Sequence, residues 1–412
     1  MAGPNVPEPI RALAAAVRSS GGRAFLVGGG VRDHLMGQPV KDWDVEVFGV
    51  DAEALTAPIR RSSRVSAVGR SFGVFKWTPR DGPDEEIDVS IPRRDSKVGP
   101  GHKGIAVEGD PSMPTVEAAR RRDLTINALM WDLAEERLED PYHGLRDLEG
   151  KRLRAVDRTT FLEDPLRALR VVQFVARLGF EPDDELIAMC REAQLDELPA
   201  ERIQGEWGKL LLKGRAIDRA LDVARRAAIP DRVFPEWAAI RPAVGPNLDR
   251  LAAGPRGAVG PEGRQWALML VGWLLGAAAA APATLDRLGM FTIRGYPVRD
   301  RVLEALDALA APVATDTDLR RLSTRAELRL VLTVRQVVDG TDPAVLARAA
   351  ALGVDEGPPK ALLLGRHLKA LGVAPGPAMG QLLHAVYELQ LDGLVTTPDE
   401  AREAARSRLT PS

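Results

Sequence analysis

Residues 25–49 read FLVGGGVRDHLMGQPVKDWDVEVFG, and this stretch carries the clearest structural pattern in the chain. A short apolar run ending at Val27 predicts a strand, and the segment after the three glycines predicts a helix. Glycine lets backbone N–H groups approach a phosphate closely at the start of a helix, where the helix dipole also favours anions. Gly28 and Gly29 are therefore predicted to contact phosphate oxygens, and Arg32 is placed within one turn to pair with a phosphate.

The same stretch continues into a second predicted strand that carries two acidic residues, Asp42 and Asp44. Strand side chains repeat with a period of two, so both carboxylates are predicted to project from one face. Adjacent carboxylates repel each other unless a cation lies between them, and hard oxygen ligands suit Mg²⁺. A later predicted strand carries Asp88, either as a third carboxylate that serves as metal ligand or base, or as an exposed strand acid. A phosphate-binding turn beside a metal-binding pair is typical of a phosphoryl- or nucleotidyl-transferase.

Further sequence motifs lie downstream of this stretch. They are RRDLTINAL (121–129), DPYHGLRDL (140–148), EDPLRALR (163–170) continued by FVARLGF (174–180), and the looser ERIQGEW (201–207). Together with VGGGVRD (27–33) and KDWD (41–44), they resemble the class II tRNA nucleotidyltransferases in order and spacing. These are the bacterial-type CCA-adding enzymes, with the bacterial poly(A) polymerases as their sister group. The resemblance covers residues 22–212, about half of the chain.

The resemblance assigns contacts with a nucleoside triphosphate to particular residues. Asp123 and Asn127 are four residues apart, which places them on one face if the segment is helical. The resemblance assigns this pair to the ribose 2′-OH and Arg122 to the triphosphate. Two Mg²⁺ ions are expected between the acidic pair and the triphosphate, one activating the primer hydroxyl and the other stabilising the leaving pyrophosphate.

Base selection is predicted to reside in Asp164 and Arg167, which lie at i and i+3 near the start of a helix. A carboxylate accepts from an exocyclic amine, and a guanidinium donates to a ring nitrogen. Cytosine and adenine both present this amine-plus-acceptor edge, whereas uracil and guanine present a carbonyl and an N–H. The pair therefore predicts selection of CTP and ATP without a nucleic-acid template. Arg170 resembles a further phosphate or base contact of the family, and Gln173 replaces an arginine that relatives often carry.

Composition sets broader bounds. The chain has 412 residues, which predicts two to four soluble modules. Its net charge is −2. Positive charge is nevertheless concentrated near the predicted phosphate site, which favours contact with RNA. The predicted RNA-binding residues are Lys97, Lys103, Lys151, Arg152 and Arg154. The single cysteine, Cys190, excludes a disulfide framework and suits a reducing cytoplasm, and no signal-peptide pattern is present.

The distribution of periodic patterns predicts an α+β fold. Short strands are predicted at residues 25–27, 45–48, 65–68, 72–78 and 87–91, and helices at 8–19, after the glycines and at 52–61. From about Phe161 onward the pattern is helical. The resemblance implies a polymerase-β-like nucleotidyltransferase head followed by an all-α neck, body and tail. The predicted bounds are 1–154 for the head, 155–213 for a neck with the base-recognition helix, 214–310 for the body and 311–412 for a tRNA-binding tail.

One apolar run requires a separate decision. Residues 266–281 are uncharged and mostly apolar, but the run is shorter than the ~20 residues that a membrane-spanning helix needs. It is predicted to be a buried core helix.

These observations together predict a Mg²⁺-dependent enzyme that adds or repairs the 3′-terminal CCA of tRNA from CTP and ATP. A poly(A) polymerase shares most of the motifs, but the segment 95–105 looks more like the flexible loop of CCA-adding enzymes. An enzyme that adds only CC or only A is a second alternative. A tRNA-binding protein without catalytic activity is the alternative from a different class, and the acidic residues Asp42, Asp44 and Asp123 argue against it.

Overall fold

The computed structural model describes residues 3–63, 69–71, 74–81, 86–97, 105–234 and 244–409. Of residues 69–71, 94–97, 105–108 and 197 it describes the backbone alone. The chain divides into two compact units. The first comprises Met1–Pro199 and Asp222–Val233, and the second comprises Ala200–Leu221 and Phe234–Ser412.

All strands of the described residues lie in the first unit. They are β1 (Arg23–Val27), β2 (Asp44–Phe48), β3 (Gly69–Ser71), β4 (Val74–Trp77), β5 (Ile87–Ser90), β6 (Arg93–Lys97), β7 (Ile105–Gly109), β8 (Met130–Asp132), β9 (Arg137–Glu139), β10 (Arg152–Leu153) and β11 (Glu181–Pro182). Seven of them form one mixed sheet in the order β3-β4-β5-β2-β1-β8-β9, while β6 pairs with β7 and β10 with β11.

The centre of the large sheet holds the two strands that the opening stretch predicts. β1 runs antiparallel to both β2 and β8, and β2 runs parallel to β5. In β1 and β2 every residue except the first is buried, because the sheet is covered on both faces at this point. The rings of Phe25 and Phe48 meet edge to face with centroids 5.4 Å apart. The candidate site lies at the other end of this strand pair, where β1 ends at Val27 and β2 begins at Asp44.

The helices are numbered along the chain. They are α1 (Glu8–Ser19), α2 (Gly29–Leu35), α3 (Ala52–Ser62), α4 (Thr115–Arg120), α5 (Gly144–Glu149), α6 (Arg158–Glu163), α7 (Leu166–Leu178), α8 (Asp184–Glu192), α9 (Ala200–Lys213), α10 (Ile217–Arg226), α11 (Pro230–Val233), α12 (Val244–Ala253), α13 (Pro255–Ala258), α14 (Glu262–Leu274), α15 (Ala281–Arg287), α16 (Val298–Ala308), α17 (Asp316–Ser323), α18 (Leu328–Val338), α19 (Pro343–Ala351), α20 (Gly365–Ala370), α21 (Pro377–Leu391) and α22 (Pro398–Leu409).

The second unit, as far as it is described, is all-helical and has an aromatic centre. The side chains of Trp207, Phe234 and Trp273 are almost fully buried and pack against each other with ring centroids 4.6 to 5.3 Å apart. Towards the C-terminus, α20, α21 and α22 build a separate apolar cluster that includes Leu368 and Val386. The α+β prediction, a sheet-containing head followed by helices, is confirmed.

Several local predictions are also confirmed. α1 spans the predicted residues 8–19, α3 covers 52–61, and α2 follows the glycines. The apolar run 266–281 is divided: α14 ends at Leu274 with Trp266 to Leu274 buried, and α15 begins at Ala281. Among the described helices, none combines the length and the apolar character needed to cross a membrane. The predicted strand 65–68 lies outside the described residues, and β8 and β9 were not predicted.

Candidate active site

The turn between β1 and α2 exposes bare backbone to two arginine side chains. Gly28 has a φ of +69°, and a Cβ atom there would lie 3.3 Å from Arg122 Nη1 and 3.9 Å from Asp44 Oδ2. A Cβ atom at Gly29 would lie 3.5 Å from Arg32 Nη2. Two glycines thus lie beside two guanidinium groups, an arrangement that suits an anion with several oxygens.

We expect Gly28→Ala to weaken triphosphate binding about tenfold. The positive φ costs an L-residue roughly 1–2 kcal/mol, and the methyl group would also crowd Arg122 and Asp44. Gly37→Ala is the matched control, because Gly37 has a φ of +70° and no atom within 4 Å of the added Cβ. Both variants should lower the melting temperature in thermal unfolding. Equal nucleotide affinities in the two variants would show that Gly28 has no contact with the ligand.

The acidic residues converge from two strands and a preceding loop. β2 begins at Asp44, so Asp42 lies before the strand and is exposed; the prediction that one strand carries both carboxylates is wrong in this respect. Asp88 on β5 lies directly opposite Asp44 in the parallel register. The Asp88 carboxylate accepts a hydrogen bond from Lys76 Nζ at 2.6 Å. The parallel pairing of β2 and β5, rather than a period of two, therefore provides the second neighbouring carboxylate.

The electrostatics of this group indicate an excess of negative charge. Burial raises the pKa of the Asp44 carboxyl above its ordinary value, and the charges of Asp88 and Asp42 raise it further. Arg122 and Lys76 act in the opposite direction without reversing the shift. A carboxylate in such surroundings gains from a nearby cation, because the cation compensates both the lost hydration and the like charges.

The donor set fits a magnesium ion that is completed by substrate. Within the described ranges, no three or more His, Cys, Asp or Glu side chains form a group that could hold a metal ion by themselves. Mg²⁺ is usually bound by one or two carboxylates, with substrate phosphate oxygens and water as the other ligands. Asp42 and Asp44 beside the glycine turn match that pattern. Asp88 is already paired with Lys76, so it is less available as a metal ligand.

The residues predicted to contact ribose belong to a hydrogen-bonded chain. Asp123 Oδ1 accepts from Asn127 Nδ2 at 2.9 Å and from the Leu124 backbone N–H at 2.8 Å. Arg32 Nη1 donates to Asn127 Oδ1 at 2.7 Å, and Arg170 Nε donates to Asp123 Oδ2 at 2.6 Å. Burial alone would raise the pKa of Asp123, but Arg170 and the hydrogen bonds outweigh it and lower that pKa. The chain of bonds connects α2 to α7.

The backbone around this pair differs from the predicted helix. α4 ends at Arg120, Asp123 lies in an irregular segment, and Asn127 closes a single 3₁₀ turn, Thr125–Asn127. The two side chains still meet, because Asp123 reaches forward to Asn127. Arg32 is buried, donates to the Asp33 carboxylate as well as to Asn127, and also approaches the glycine turn at Gly29.

The two residues predicted to read the base lie where α6 gives way to α7. Asp164 follows α6 and precedes α7, so it lies outside the helix, while Arg167 occupies the first turn of α7. Asp164 Oδ1 accepts from the Leu166 backbone N–H at 3.2 Å. The Arg167 guanidinium donates to the backbone carbonyl oxygens of Thr160 at 2.9 Å and Arg121 at 2.5 Å. These carbonyl groups fix the plane of the guanidinium.

Phe174 is a residue of the site that the sequence analysis missed. Phe174 on α7 is buried, and the guanidinium carbons of Arg32 and Arg170 lie 5.3 and 5.5 Å from its ring centroid. The ring supports two members of the hydrogen-bonded chain by cation–π contact. Gln173, the departure from the family pattern, is buried and accepts from Arg177 Nη1 at 3.4 Å. The FVARLGF segment (174–180) was the available signal for Phe174.

The predicted RNA-binding residues have different surroundings. Lys151, which has a φ of +53°, and Arg152 on β10 are exposed. Arg154 donates from Nη2 to the buried Asp147 carboxylate at 2.8 Å, so it has a structural ion pair. Lys97 is the last residue of β6, and Lys103 lies outside the described residues.

Comparisons of sequence with known proteins find relatives for about half of the chain. Residues 24–154 match the family model described as the poly A polymerase head domain. The Multifunctional CCA protein of Aromatoleum aromaticum is 39% identical over 219 residues, which are 52% of this chain and 51% of that protein. The protein of the same name from Methylococcus capsulatus is 38% identical over 221 residues, 52% of this chain and 49% of that protein. The chain spans about half the length of the curated relatives it matches.

Solved structures resemble the fold over nearly the whole length. The CCA-adding enzyme of Bacillus stearothermophilus in complex with CTP gives a TM-score of 0.72 at 23% identity, covering 98% of each chain. The Thermotoga maritima CCA-adding enzyme complexed with tRNA gives 0.68 at 19% identity, covering 97% of this chain and 94% of that one. Residues 24–154 therefore match a poly A polymerase head domain, and about half of the chain is similar to the Multifunctional CCA proteins, in agreement with the resemblance that its motifs carry.

Proposed function

We propose that this chain is a template-independent tRNA nucleotidyltransferase that builds or repairs the 3′-terminal CCA from CTP and ATP with Mg²⁺. The observation that carries the proposal is the bare backbone of Gly28 between Arg122 and Asp44. The names of the relatives support it, as do the structural neighbours solved with CTP, ATP and tRNA. The pair Asp164 and Arg167 supports an enzyme that uses both CTP and ATP, because both bases present the edge that this pair can bind.

The triphosphate is proposed to bind at the glycine turn. Its oxygens accept from the backbone at Gly28 and Gly29 and from the Arg122 guanidinium, which compensate several negative charges at once. Mg²⁺ held by Asp42 and Asp44 would stabilise the charge that develops on pyrophosphate as it leaves. Asp88 lies opposite Asp44, where it could accept a proton or share the cation. The hydrogen bond from Lys76 holds the Asp88 carboxylate in position.

The nucleoside is proposed to lie between the 3₁₀ turn and the start of α7. Asp123 and Asn127 offer oxygen and amide groups to the ribose hydroxyls, and Arg170 fixes the Asp123 carboxylate. Asp164 accepts from the exocyclic amine of the base, and Arg167 donates to the adjacent ring nitrogen. A uracil or guanine edge would leave these half-buried groups unpaired, which costs far more than a weak contact does.

The proposal is tested with tRNA transcripts that end before, within and after the CC sequence. Each transcript is incubated with one of the four labelled nucleotides at a time, and incorporation is measured. We expect CMP on the first two transcripts, AMP only after CC, and no UMP or GMP. Addition of AMP to every transcript would indicate a poly(A) polymerase. Activity confined to one step would indicate a CC-adding or A-adding enzyme, and binding without incorporation would indicate a non-catalytic tRNA-binding protein.

The tRNA is proposed to contact the exposed basic residues of the first unit and the helical tail, residues 311–412. Lys151→Glu is expected to weaken tRNA binding about tenfold and to lower the slope of log affinity against log salt by about one or two, since phosphate contacts release counterions. Arg11→Glu on α1 is the matched control, because it makes the same charge change in the same unit. An unchanged slope in Lys151→Glu, measured by filter binding, would remove Lys151 from the RNA surface.

A further inference from the structure

A buried acid on β2 connects the glycine turn with the base-reading residues. Glu46 is two residues after Asp44 on the same strand, and its side chain is 1% exposed. Its two oxygens each face an arginine: Oε1 accepts from Arg121 Nη2, and Oε2 lies 3.5 Å from Arg122 Nη2. Because side chains alternate along a strand, Glu46 and Asp44 project to the same side of the sheet.

The two arginines that Glu46 contacts serve both halves of the site. Arg122 Nη1 is the atom that approaches Gly28 at the glycine turn. The backbone carbonyl groups of Arg121 and Arg122 accept from the Arg167 guanidinium at 2.5 and 3.5 Å. One dipeptide therefore carries a phosphate contact on its side chain and fixes a base contact through its backbone.

We infer that Glu46 is a positioning residue that sets the Arg121–Arg122 segment, and through it both triphosphate affinity and the choice of base. The inference rests on the proposed function for the identity of the ligand. Glu46 has no contact with the reacting atoms; it acts through Arg122 on the triphosphate and through the Arg121 carbonyl on Arg167.

The physical reason is the high cost of an unpaired buried charge. Burial lowers the pKa of Arg121, and the charge of the Glu46 carboxylate acts in the opposite direction without reversing the shift. If the carboxylate is removed, the Arg121 side chain, which is only 24% exposed, loses its counter-charge, and this favours a movement of the segment. The segment would then shift towards water, taking the Arg122 side chain away from Gly28 and the carbonyl groups away from Arg167.

If Glu46 only stabilised the fold, its loss should act like the loss of any other buried acid in the same sheet, and Asp132 is such an acid. Asp132 on β8 is also fully buried and also pairs with an arginine, Arg23, at 2.6 Å. Asp132→Asn removes a comparable buried charge from the same sheet without touching the Arg121–Arg122 segment. If Glu46 only stabilises the fold, the two variants should behave alike in every assay.

The test is equilibrium binding of CTP, ATP, UTP and GTP with Mg²⁺ to the full chain by calorimetry, with thermal unfolding in parallel. Glu46→Gln is expected to weaken CTP and ATP at least about tenfold and to lower the ratio of the UTP to the CTP dissociation constant at least about fivefold. Asp132→Asn should lower the melting temperature and keep that ratio. Glu46→Asp keeps the charge on a shorter side chain, so its affinity should fall between wild type and Glu46→Gln.

The inference is overturned if Glu46→Gln keeps both affinity and ratio, or if Asp132→Asn loses the ratio equally. Should Glu46→Gln fail to fold, Glu46→Asp is judged by the same ratio, and a wild-type ratio in it overturns the inference. Binding requires no turnover, so the proposed function is tested separately. A wild-type protein that selects CTP but transfers no nucleotide contradicts the function and still allows the Glu46 ratio to be measured, whereas equal binding of all four nucleotides contradicts both.

Discussion

Asp44→Ala is expected to reduce nucleotide incorporation at least about 1000-fold, while tRNA affinity stays within about twofold of wild type. The carboxylate lies opposite Asp88 and 3.9 Å from the point that a Cβ atom on Gly28 would occupy, where cation and triphosphate are proposed to meet. Its loss removes charge stabilisation that is worth several kcal/mol in the transition state, and a factor of 1000 corresponds to about 4 kcal/mol. The exposed basic residues are unchanged, so RNA binding should persist.

The control for this prediction is Asp51→Asn. Asp51 caps α3 by accepting from the Ala54 backbone N–H, and asparagine caps a helix equally well. It removes one carboxylate from the same unit and should leave incorporation unchanged. Asp42→Ala is expected to lose incorporation too, because the pair shares the proposed cation. Single-turnover incorporation near the wild-type rate in both Asp44→Ala and Asp42→Ala would refute the metal assignment.

The second large effect is expected from Arg167→Ala and Asp164→Ala. Each side chain is proposed to form one or two hydrogen bonds with the base, and each bond is worth roughly 1.5–3 kcal/mol where a charge is involved. Losing one should lower kcat/KM for CTP and ATP by about 10- to 200-fold, since 1.4 kcal/mol is a factor of ten. UTP and GTP, which do not form these bonds, should lose little, so the preference among nucleotides should narrow.

The structure sharpens the design of that experiment. Arg167 is anchored by the carbonyl groups of Thr160 and Arg121, so Arg167→Lys should fail to restore selection, because lysine lacks the planar fork that makes several bonds at once. Arg177→Ala is the matched control: Arg177 lies in the last turn of α7, away from the start of the helix. Wild-type selection retained in Arg167→Ala would mean that another element, or the tRNA end, chooses the nucleotide.

The parts of the fold that the sequence predicted are those fixed by local pattern. β1, the glycine turn, α2 and most of β2 follow from an apolar run, three glycines and a second apolar run within residues 25–49. The short strands β8 and β9 were missed because three residues carry too little periodicity. β8 is placed instead by pairing with β1, whose Leu26 lies opposite Trp131, and β9 is placed by pairing with β8.

The candidate site shows where spacing alone misleads. Asp123 and Asn127 suggested a helix, but Asp123 bonds the Leu124 N–H, and the Thr125 N–H donates to the Arg154 carbonyl across a β-bridge. These bonds replace those of a continuing helix, so the segment forms a single 3₁₀ turn. Asp42 and Asp44 suggested one strand, but the close carboxylate neighbour within the sheet is Asp88, from a strand more than 40 residues away. Glu46 could not be found because one acid in a strand resembles any other until its partners are known.

The most direct test of the central claim is to sequence the 3′ ends of a tRNA transcript that lacks CCA after incubation with the protein, Mg²⁺ and all four nucleotides at equal concentration. If side chains at the start of α7 select the base, nearly all extended ends should read CCA and stop there, despite the presence of UTP and GTP. Ends that carry U or G at these positions, or a tract of A, would contradict the account.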